Sequence, residues 1–203
     1  MTDPLLKYRE QHKHRLNYMP WLYWSLKPKH REWAEQWQAE YQAYLMEMET
    51  VEIGKNCFIS PLAHIFAERG RKISIGDNTF IAADCTLHGP LQIGSEVAIN
   101  HHCILEGGRA GIKLHDQVRI AAYSHLYAFD HGMDLERPIY QQAVTSKGIE
   151  IGQDVWLGAN VGIKDGVTIG DHAVIGMNSM VTKDIKKHAI VAGNPARFIR
   201  YRK

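Results

Sequence analysis

Branched aliphatic side chains recur every six residues along most of this chain. The recurrence begins at Ile53 and reaches Val181, with three interruptions, and residues 151–174 repeat it without a gap as IGQDVW LGANVG IKDGVT IGDHAV. Position one of each hexad is Ile, Leu or Val, position two is often Gly, and position five is small or branched. A short fixed period is typical of a solenoid, because each unit buries its large and small side chains only against stacked neighbours. A 3.6-residue helical period does not fit these hexads, so the pattern predicts an all-β solenoid.

Residues 1–50 lack the period and predict an N-terminal helical cap on a solenoid domain over 51–203. They hold four of the five tryptophans and five of the nine tyrosines. From Pro28 onward the aromatic and apolar side chains fall at helical spacing, with glutamates between them. We expect this stripe to pack over the first coil, whose unpaired strand edge needs a cover. A substrate platform or a peripheral membrane contact is the alternative.

Composition adds bounds on location and on cysteine chemistry. The net charge is +2, and no apolar run approaches the roughly 18 residues of a membrane span. The N-terminus has no signal-peptide pattern, which favours a cytoplasmic protein. Cys57, Cys85 and Cys103 all fall on position five of their hexads. We therefore expect small buried side chains there, and neither disulfides nor reactive thiols.

The hexads are interrupted at 66–74, at 107–113 and, over the longest stretch, at 132–150. The hexad before the longest interruption reads LYAFDH, and it places Asp130 at position five, where a small residue is expected. Local sequence rules tend to fail at functional sites. The break therefore points to the residue that ends this hexad, His131.

The repeat closely resembles that of the hexapeptide-repeat acyltransferases, over roughly residues 51–203. Within that family the segment DHGMDLERPIYQQ looks most like the branch that modifies surface polysaccharides. The resemblance implies a left-handed parallel β-helix with an N-terminal helical segment and a short C-terminal helix. It also implies a homotrimer with its sites between chains, acetyl-CoA as the co-substrate, and no metal.

Site residues follow from the same resemblance. His131 matches the histidine that ends this hexad in galactoside, maltose and xenobiotic acetyltransferases, where it acts as general base, whereas His125 is expected to be structural. The stretch NHHCILE matches an acceptor-binding stretch, which implies acceptor contacts for Asn100, His102 and Glu106. The donor-side positions that match the family are Trp156, Ala159, Met177, Thr182, Lys183, Arg197 and Arg200.

The leading hypothesis is an O-acetyltransferase that moves an acetyl group from acetyl-CoA to a hydroxyl of a sugar or surface-polysaccharide precursor. Acetylation of an antibiotic or another small alcohol or amine is an alternative, as are a zinc-dependent carbonic anhydrase of the γ type and a non-catalytic scaffold. Residues 183–203 hold seven Lys or Arg and one acidic residue, which suits the phosphates of coenzyme A. Nucleic acid is not an expected partner, because no recognised binding motif is present.

Overall fold

The computed structural model describes residues 4–203, in which two α-helices precede a stack of short strands. The helices are α1 (Pro4–Tyr18), a 3-10 helix (Pro20–Ser25), α2 (Pro28–Met48) and a second 3-10 helix (Ile139–Gln141). The strands are β1 (Val51–Ile53), β2 (Phe58–Ile59), β3 (His64–Phe66), β4 (Ile73–Ile75), β5 (Phe80–Ile81), β6 (Thr86–His88), β7 (Leu91–Ile93), β8 (Ala98–Ile99), β9 (Ile104–Glu106), β10 (Ile112–Leu114), β11 (Arg119–Ile120), β12 (His125–Tyr127), β13 (Asp130–His131), β14 (Val144–Thr145), β15 (Ile149–Ile151), β16 (Trp156–Leu157), β17 (Gly162–Ile163), β18 (Thr168–Ile169), β19 (Val174–Ile175), β20 (Met180–Val181), β21 (Ala189–Ala192) and β22 (Arg197–Tyr201).

These strands form the three walls of a solenoid, and each coil gives one strand to each wall. The first sheet has the order β1-β4-β7-β10-β15-β18, the second β2-β5-β8-β11-β16-β19-β21-β22, and the third β3-β6-β9-β12-β17-β20. We call the turns from the first to the second sheet the first corner, those from the second to the third the second corner, and those from the third back to the first the third corner. The predicted parallel β-solenoid is confirmed.

The hexad positions explain why the chain coils this way. Leu157 and Val161, at positions one and five of one hexad, are both fully buried. Position two is often Gly because successive coils touch at the first corner: a Cβ on Gly94 would lie 2.8 Å from the backbone nitrogen of Asp116 in the next coil. The sequence period thus reports directly on which side chains face the core.

The cysteines behave as the hexads predict. Cys57, Cys85 and Cys103 are all buried and unpaired. Burial raises the pKa of the Cys57 thiol. A hydrogen bond with the Cys103 thiol, together with burial, raises the pKa of Cys85. A raised pKa keeps Cys57 and Cys85 as thiols. Because all three cysteines are buried, they serve as small core side chains.

Polar side chains of α2 cover the strand edge of the first coil. Gln38 accepts a hydrogen bond from the backbone N–H of Ile59 at 2.8 Å and donates one to its carbonyl at 3.1 Å. Gln42 donates to the carbonyl of Cys57 at 2.9 Å. These bonds satisfy backbone groups that have no preceding coil to pair with.

The aromatic stripe of α2 divides between two surfaces. Trp33 and Trp37 pack on a cluster that includes Phe58 and Phe80, on the outer face of the second sheet. Tyr41 and Leu45 contact the solenoid core, as expected for a cover over the first coil. Tyr44 and Met48, expected on the same face, are exposed. The helical segment therefore lies along one wall as well as over the open end.

The predicted C-terminal helix is wrong. Residues Arg197–Tyr201 form β22, which pairs antiparallel with β21 at the last edge of the second sheet. Gly193, at φ +104°, lies in the turn between the two strands. Phe198, Ile199 and Tyr201 favour a strand, and the solenoid supplies an unpaired edge for it to join.

All three interruptions of the hexads lie at the third corner. The turns there span 67–72, 107–111 and 128–148, whereas the corresponding turn between β17 and β18 takes only residues 164–167. The extra chain therefore projects from a single edge of the solenoid, and the longest projection carries His131.

Candidate active site

His131 lies on a β-hairpin outside the coil. β13 pairs antiparallel with β14, so that His131 faces Val144 across the hairpin. The imidazole is exposed, and the Phe129 ring meets it edge-on with centroids 6.2 Å apart. No side chain among residues 4–203 hydrogen-bonds to this ring. Both of its nitrogens are therefore available to a substrate.

The return strand of the hairpin is fixed by a buried carboxylate. Asp165 accepts hydrogen bonds from the backbone N–H of Lys147 at 2.9 and 3.0 Å and from that of Gly148 at 2.9 Å. Asp165 is only 8% exposed. Bonds to an ionised acceptor are among the stronger hydrogen bonds in proteins, so this end of the hairpin is held firmly.

Ser146 ties the hairpin to the neighbouring insertion. Its hydroxyl donates to the carbonyl of Ala128 at 2.5 Å and accepts from the backbone N–H groups of Arg109 and Ala110, both at 2.9 Å. One hydroxyl thus joins the outgoing chain, the returning chain and the 107–111 turn.

Asp130 adds an ion pair next to His131. Its carboxylate lies 2.9 Å from the ammonium of Lys164 in the next coil, and this contact raises the pKa of Lys164. The position-five aspartate that breaks the hexad rule has therefore left the core for a partner on the surface. Because both partners are partly exposed, the ion pair orients the Asp130 side chain more than it stabilises the fold.

Sequence reasoning missed Ser146, Lys164 and Asp165. Asp165 precedes Gly166, a dipeptide that indicates a turn and nothing more. Asp130 stood out as an exception to the hexad rule, but its partner was not predictable. The coil register brings these residues together, and it becomes visible only when strands are paired.

Glu106 lies at the third corner beside the hairpin. It faces Tyr127 on β12, four residues before His131. Its carboxylate is 3.0 Å from Nδ1 of His88, whose Nε2 is 3.1 Å from Glu68. Two ring contacts to carboxylates fix the His88 ring, which in turn fixes the Glu106 carboxylate.

Asn100 and His102 lie at the second corner, away from Glu106. The Asn100 amide donates to the carbonyl of Ile120 at 2.9 Å, so it serves the coil. His102 stacks on Tyr123 with centroids 4.9 Å apart, and its Nε2 is 3.6 Å from Asp84. His102 turns the corner at φ +59°. Glu106 follows four residues later, at the far end of β9, about 13 Å away at the rise of an extended strand.

Trp156, Ala159 and Met177 lie together at or beside the second corner. The Trp156 indole is 53% exposed on the outer face of the second sheet, and Met177 is 65% exposed in the next coil. The backbone N–H of Ala159 donates to no other described residue, although its carbonyl accepts from Asn178 at 2.9 Å. A free N–H beside an exposed indole can stabilise a developing oxyanion.

The remaining donor-side candidates lie at the C-terminal end of the solenoid. Thr182, Lys183 and Arg197 line one groove of about 670 Å³, under β22. Arg200 lies on the same strand and faces Ile190 across the pair, outside the groove lining. This end of the molecule is rich in cationic side chains that are open to solvent.

Within one chain the candidates therefore form separate groups. His131 and Glu106 lie at the third corner, whereas His102, Ala159 and Met177 lie at the second. The outer face of the third sheet separates the two corners. One chain thus presents the His131 imidazole and the free N–H of Ala159 on opposite edges of one wall.

His125 occupies a structural position on that wall. A Cβ at Gly162 would lie 2.6 Å from its Nε2, so the ring fills space that the glycine leaves open. Among residues 4–203, no three His, Cys, Asp or Glu side chains are placed to hold a metal ion. In the same part of the chain, no helix is long and apolar enough to cross a membrane.

Comparison with characterised proteins identifies the family. Residues 148–183 match the family model described as bacterial transferase hexapeptide (six repeats). Galactoside O-acetyltransferase of Escherichia coli K12 is 30% identical over 165 residues, which cover 80% of this chain and 70% of the relative. The chain belongs to the hexapeptide-repeat acyltransferase family. It is an acetyltransferase by this relationship, and the resemblance predicted from the hexads is confirmed.

Further relatives of this hexapeptide-repeat acyltransferase extend the comparison. An E. coli K12 protein named for a colanic acid biosynthesis acetyltransferase, WcaF, is 28% identical over 89% of this chain and 86% of its own length. A variant of AntD, an N-acyltransferase from Bacillus cereus solved with dTDP and coenzyme A, superposes with a TM-score of 0.72 at 31% identity, covering 80% and 90% of the two chains. A hexapeptide-repeat acetyltransferase from Vibrio cholerae, solved with acetyl coenzyme A, gives 0.58 at 26%, covering 100% and 91%.

Proposed function

We propose that this enzyme transfers an acetyl group from acetyl-CoA to a hydroxyl of a sugar or surface-polysaccharide precursor, with His131 as general base. The observation that carries the proposal is the exposed, unpartnered His131 imidazole on a hairpin anchored by Asp165 and Ser146. The named activities of the galactoside and colanic acid relatives point to saccharide acceptors. The solved relatives support a coenzyme A donor.

The chemistry requires one base and one oxyanion donor. The neutral His131 imidazole takes the proton of the acceptor hydroxyl while the oxygen attacks the thioester carbonyl. The free N–H of Ala159 stabilises the oxyanion of the tetrahedral intermediate. When the C–S bond breaks, the imidazolium returns its proton to the coenzyme A thiolate, and the acetyl ester leaves.

The donor-side residues have distinct roles in this proposal. The exposed faces of Trp156 and Met177 contact the pantetheine arm. Thr182 and Lys183 border the coenzyme groove, while Arg197 and Arg200 bind its phosphates through charge-assisted hydrogen bonds. On the acceptor side, Glu106 of the chain that supplies His131 and His102 of the neighbouring chain, which supplies Ala159, form hydrogen bonds with sugar hydroxyls. Asn100 acts indirectly, because its amide already bonds to the Ile120 carbonyl.

We infer from the separation of these groups that a second chain completes the site, and the family resemblance implies that the assembly is a cyclic homotrimer. His131 lies at the third corner and Ala159 at the second, so a neighbouring chain must bring its second corner to this hairpin to complete a site. Light scattering at micromolar concentration is expected to give about three times the chain mass of 23.1 kDa. A fully active monomer would overturn this arrangement. We also propose a cytoplasmic location, because acetyl-CoA is available there as the co-substrate.

An amine acceptor is the second candidate, and the AntD comparison favours it. One of the AntD structures holds dTDP-4-amino-4,6-dideoxyglucose together with coenzyme A, at 29% identity and a TM-score of 0.64. An amine must also lose a proton after attack, so the same imidazole suits either acceptor.

An acceptor panel tests the proposed function. Thiol release from acetyl-CoA is measured with galactosides, nucleotide-linked sugars and nucleotide-linked amino sugars, and products are identified as esters or amides by mass. An ester on a saccharide supports the first candidate, and an amide on an amino sugar supports the second. Acetylation of chloramphenicol alone, or carbon dioxide hydration without thiol release, would contradict both.

A further inference from the structure

A groove with a cationic rim lies between α1 and the start of α2, apart from the candidate active site. It encloses about 380 Å³. Its floor is apolar and is formed by Leu16, Leu22 and Leu26. Its rim is formed by His12, Arg15, Lys27, Lys29 and His30. We call these eight residues together the N-terminal basic surface.

The rim cations are unpaired, in contrast to their neighbours. Lys13 lies 3.0 Å from Glu10, and Arg31 lies 3.5 Å from Glu35. Arg15, Lys27 and Lys29 form no ion pair with a carboxylate in the part of the chain that the structure describes. Three uncompensated cations around one depression create a local positive potential.

Two imidazoles lie close together at the rim, beside these cations. The rings of His12 and His30 lie 4.5 Å apart. The pKa of His12 is lowered, first by burial and then by the charges of His30, Arg15 and Lys29. An anion in the groove would relieve this repulsion.

An apolar stripe continues from the groove along α1. Leu5, Tyr8, His12 and Arg15 are spaced by three, four and three residues, which places them on one helix face. Tyr8 is 58% exposed and Leu5 is 69% exposed. Exposed apolar side chains thus adjoin exposed cations, and Leu16, on the floor of the groove, flanks the same helix face.

We propose that the N-terminal basic surface docks this enzyme on an anionic lipid bilayer. A bilayer offers negative headgroups to Arg15, Lys27 and Lys29 and acyl boundary to Leu5 and Tyr8. A nucleotide or a nucleic acid would satisfy the cations but would leave those apolar side chains in water. Docking requires neither His131 nor acetyl transfer, so it extends beyond the proposed function.

Vesicle sedimentation with the full-length protein tests the proposal. We expect binding to vesicles with 30% phosphatidylglycerol and little binding to pure phosphatidylcholine, and we expect 0.5 M NaCl to weaken it through screening. Each basic residue near an anionic leaflet contributes about fivefold to partitioning. Lys27→Gln with Lys29→Gln should therefore weaken binding by about 25-fold, and Tyr8→Ser should weaken it further.

The matched control removes the same charge elsewhere. Lys55 and Lys187 are exposed and lie outside the N-terminal surface, so Lys55→Gln with Lys187→Gln should leave partitioning within about twofold of wild type. Equal loss in this control would overturn the proposal, because attraction would then follow net charge. Failure to bind vesicles while a nucleotide or inorganic phosphate protects the groove would also overturn it. Thiol release by the variants, measured separately, reports on the active site alone.

Discussion

The first and third corners of the solenoid use the same residue types in opposite ways. At the first corner, Asn56 donates to Asn78 at 2.7 Å, and Gln117 donates to Glu96 at 2.9 Å, each one coil away. At the third corner the chain is extended by insertions, and the His131 imidazole forms no hydrogen bond with the part of the chain that the structure describes. In the regular part of the stack, polar side chains hydrogen-bond to one another between coils. Where the stack is interrupted, a polar side chain such as His131 is available to a substrate.

Histidines show the difference most directly. At the first corner His172 lies 3.0 Å from Asp154 and stacks on His188, with centroids 5.1 Å apart. His131 has a ring neighbour, Phe129, but no hydrogen-bond acceptor among residues 4–203. An imidazole that is already hydrogen-bonded to its neighbours orients those neighbours or stabilises the fold. A free imidazole can exchange a proton with a substrate.

The largest expected effect is on turnover when the free imidazole is removed. His131→Ala should lower kcat by about 10²–10⁴, the usual contribution of a positioned acid–base group, and the loss should persist at saturating acceptor. Coenzyme A affinity and the unfolding midpoint should change little, because the ring makes no hydrogen bond within the described chain. Steady-state kinetics and calorimetric titration measure these quantities.

His125→Ala is the control for that variant. Its ring packs over Gly162 on the same wall, so its loss should reduce stability more than turnover. Wild-type kcat for His131→Ala with the true acceptor would show that the hairpin serves another purpose.

A smaller effect is expected when the hairpin keeps its histidine but loses its anchor. Asp165→Ala leaves the N–H groups of Lys147 and Gly148 without their acceptor, so we expect kcat to fall by about tenfold to a hundredfold through misplacement of His131. The free energy of unfolding should fall by about 2–3 kcal/mol. Asp165→Asn keeps one acceptor oxygen and should recover part of both losses.

The first corner again supplies the control for the anchor. Asp116 accepts the backbone N–H of Ser95 at 2.8 Å, with no insertion nearby. Asp116→Ala should reduce stability without changing kcat. If Asp116→Ala and Asp165→Ala lowered kcat equally, Asp165 would have no specific anchoring role, and its effect on kcat would come from the stability of the fold alone.

These contrasts also show how far the sequence leads. Positions one and five of the hexads predict which side chains face inward, because the stack has a fixed period. The family resemblance predicts one acceptor site from Asn100 to Glu106, but His102 turns a corner and the strand then carries Glu106 to the other edge of the wall. Asp165 was missed because its partners, 17 and 18 residues earlier, are set by coil register. The predicted C-terminal helix is wrong because these residues pair as a strand with the edge of β21.

A further test concerns the cationic end of the solenoid. Arg197→Ala with Arg200→Ala should weaken coenzyme A by about tenfold, since each charge-assisted bond at an exposed site contributes modestly. A pantetheine fragment without nucleotide phosphates should bind as in wild type. Titration calorimetry compares the two ligands.

Residues 183–203 also supply a matched control for this test. Lys187→Ala with Lys203→Ala removes two cations from the same segment and should leave both affinities unchanged. If the arginine variant weakened both ligands equally, the arginines would not bind phosphate.

The smallest effect is expected at the regular corner. His172→Ala removes the hydrogen bond that contributes most to lowering the pKa of Asp154, which Arg202 also lowers. A carboxyl whose pKa is lower in the folded state than in the unfolded state stabilises the fold at pH values above its unfolded pKa of about 3.9. This contribution is lost as the pH falls through the pKa of the folded state. The variant should therefore unfold more easily at pH 7 by under about 1 kcal/mol, because the pair is largely exposed, and this difference should shrink below about pH 4. Denaturant titration at the two pH values measures it, and kcat should not change. A tenfold fall in kcat would mean that the ordered corner also contributes to the site, and the contrast between the two corners would no longer hold.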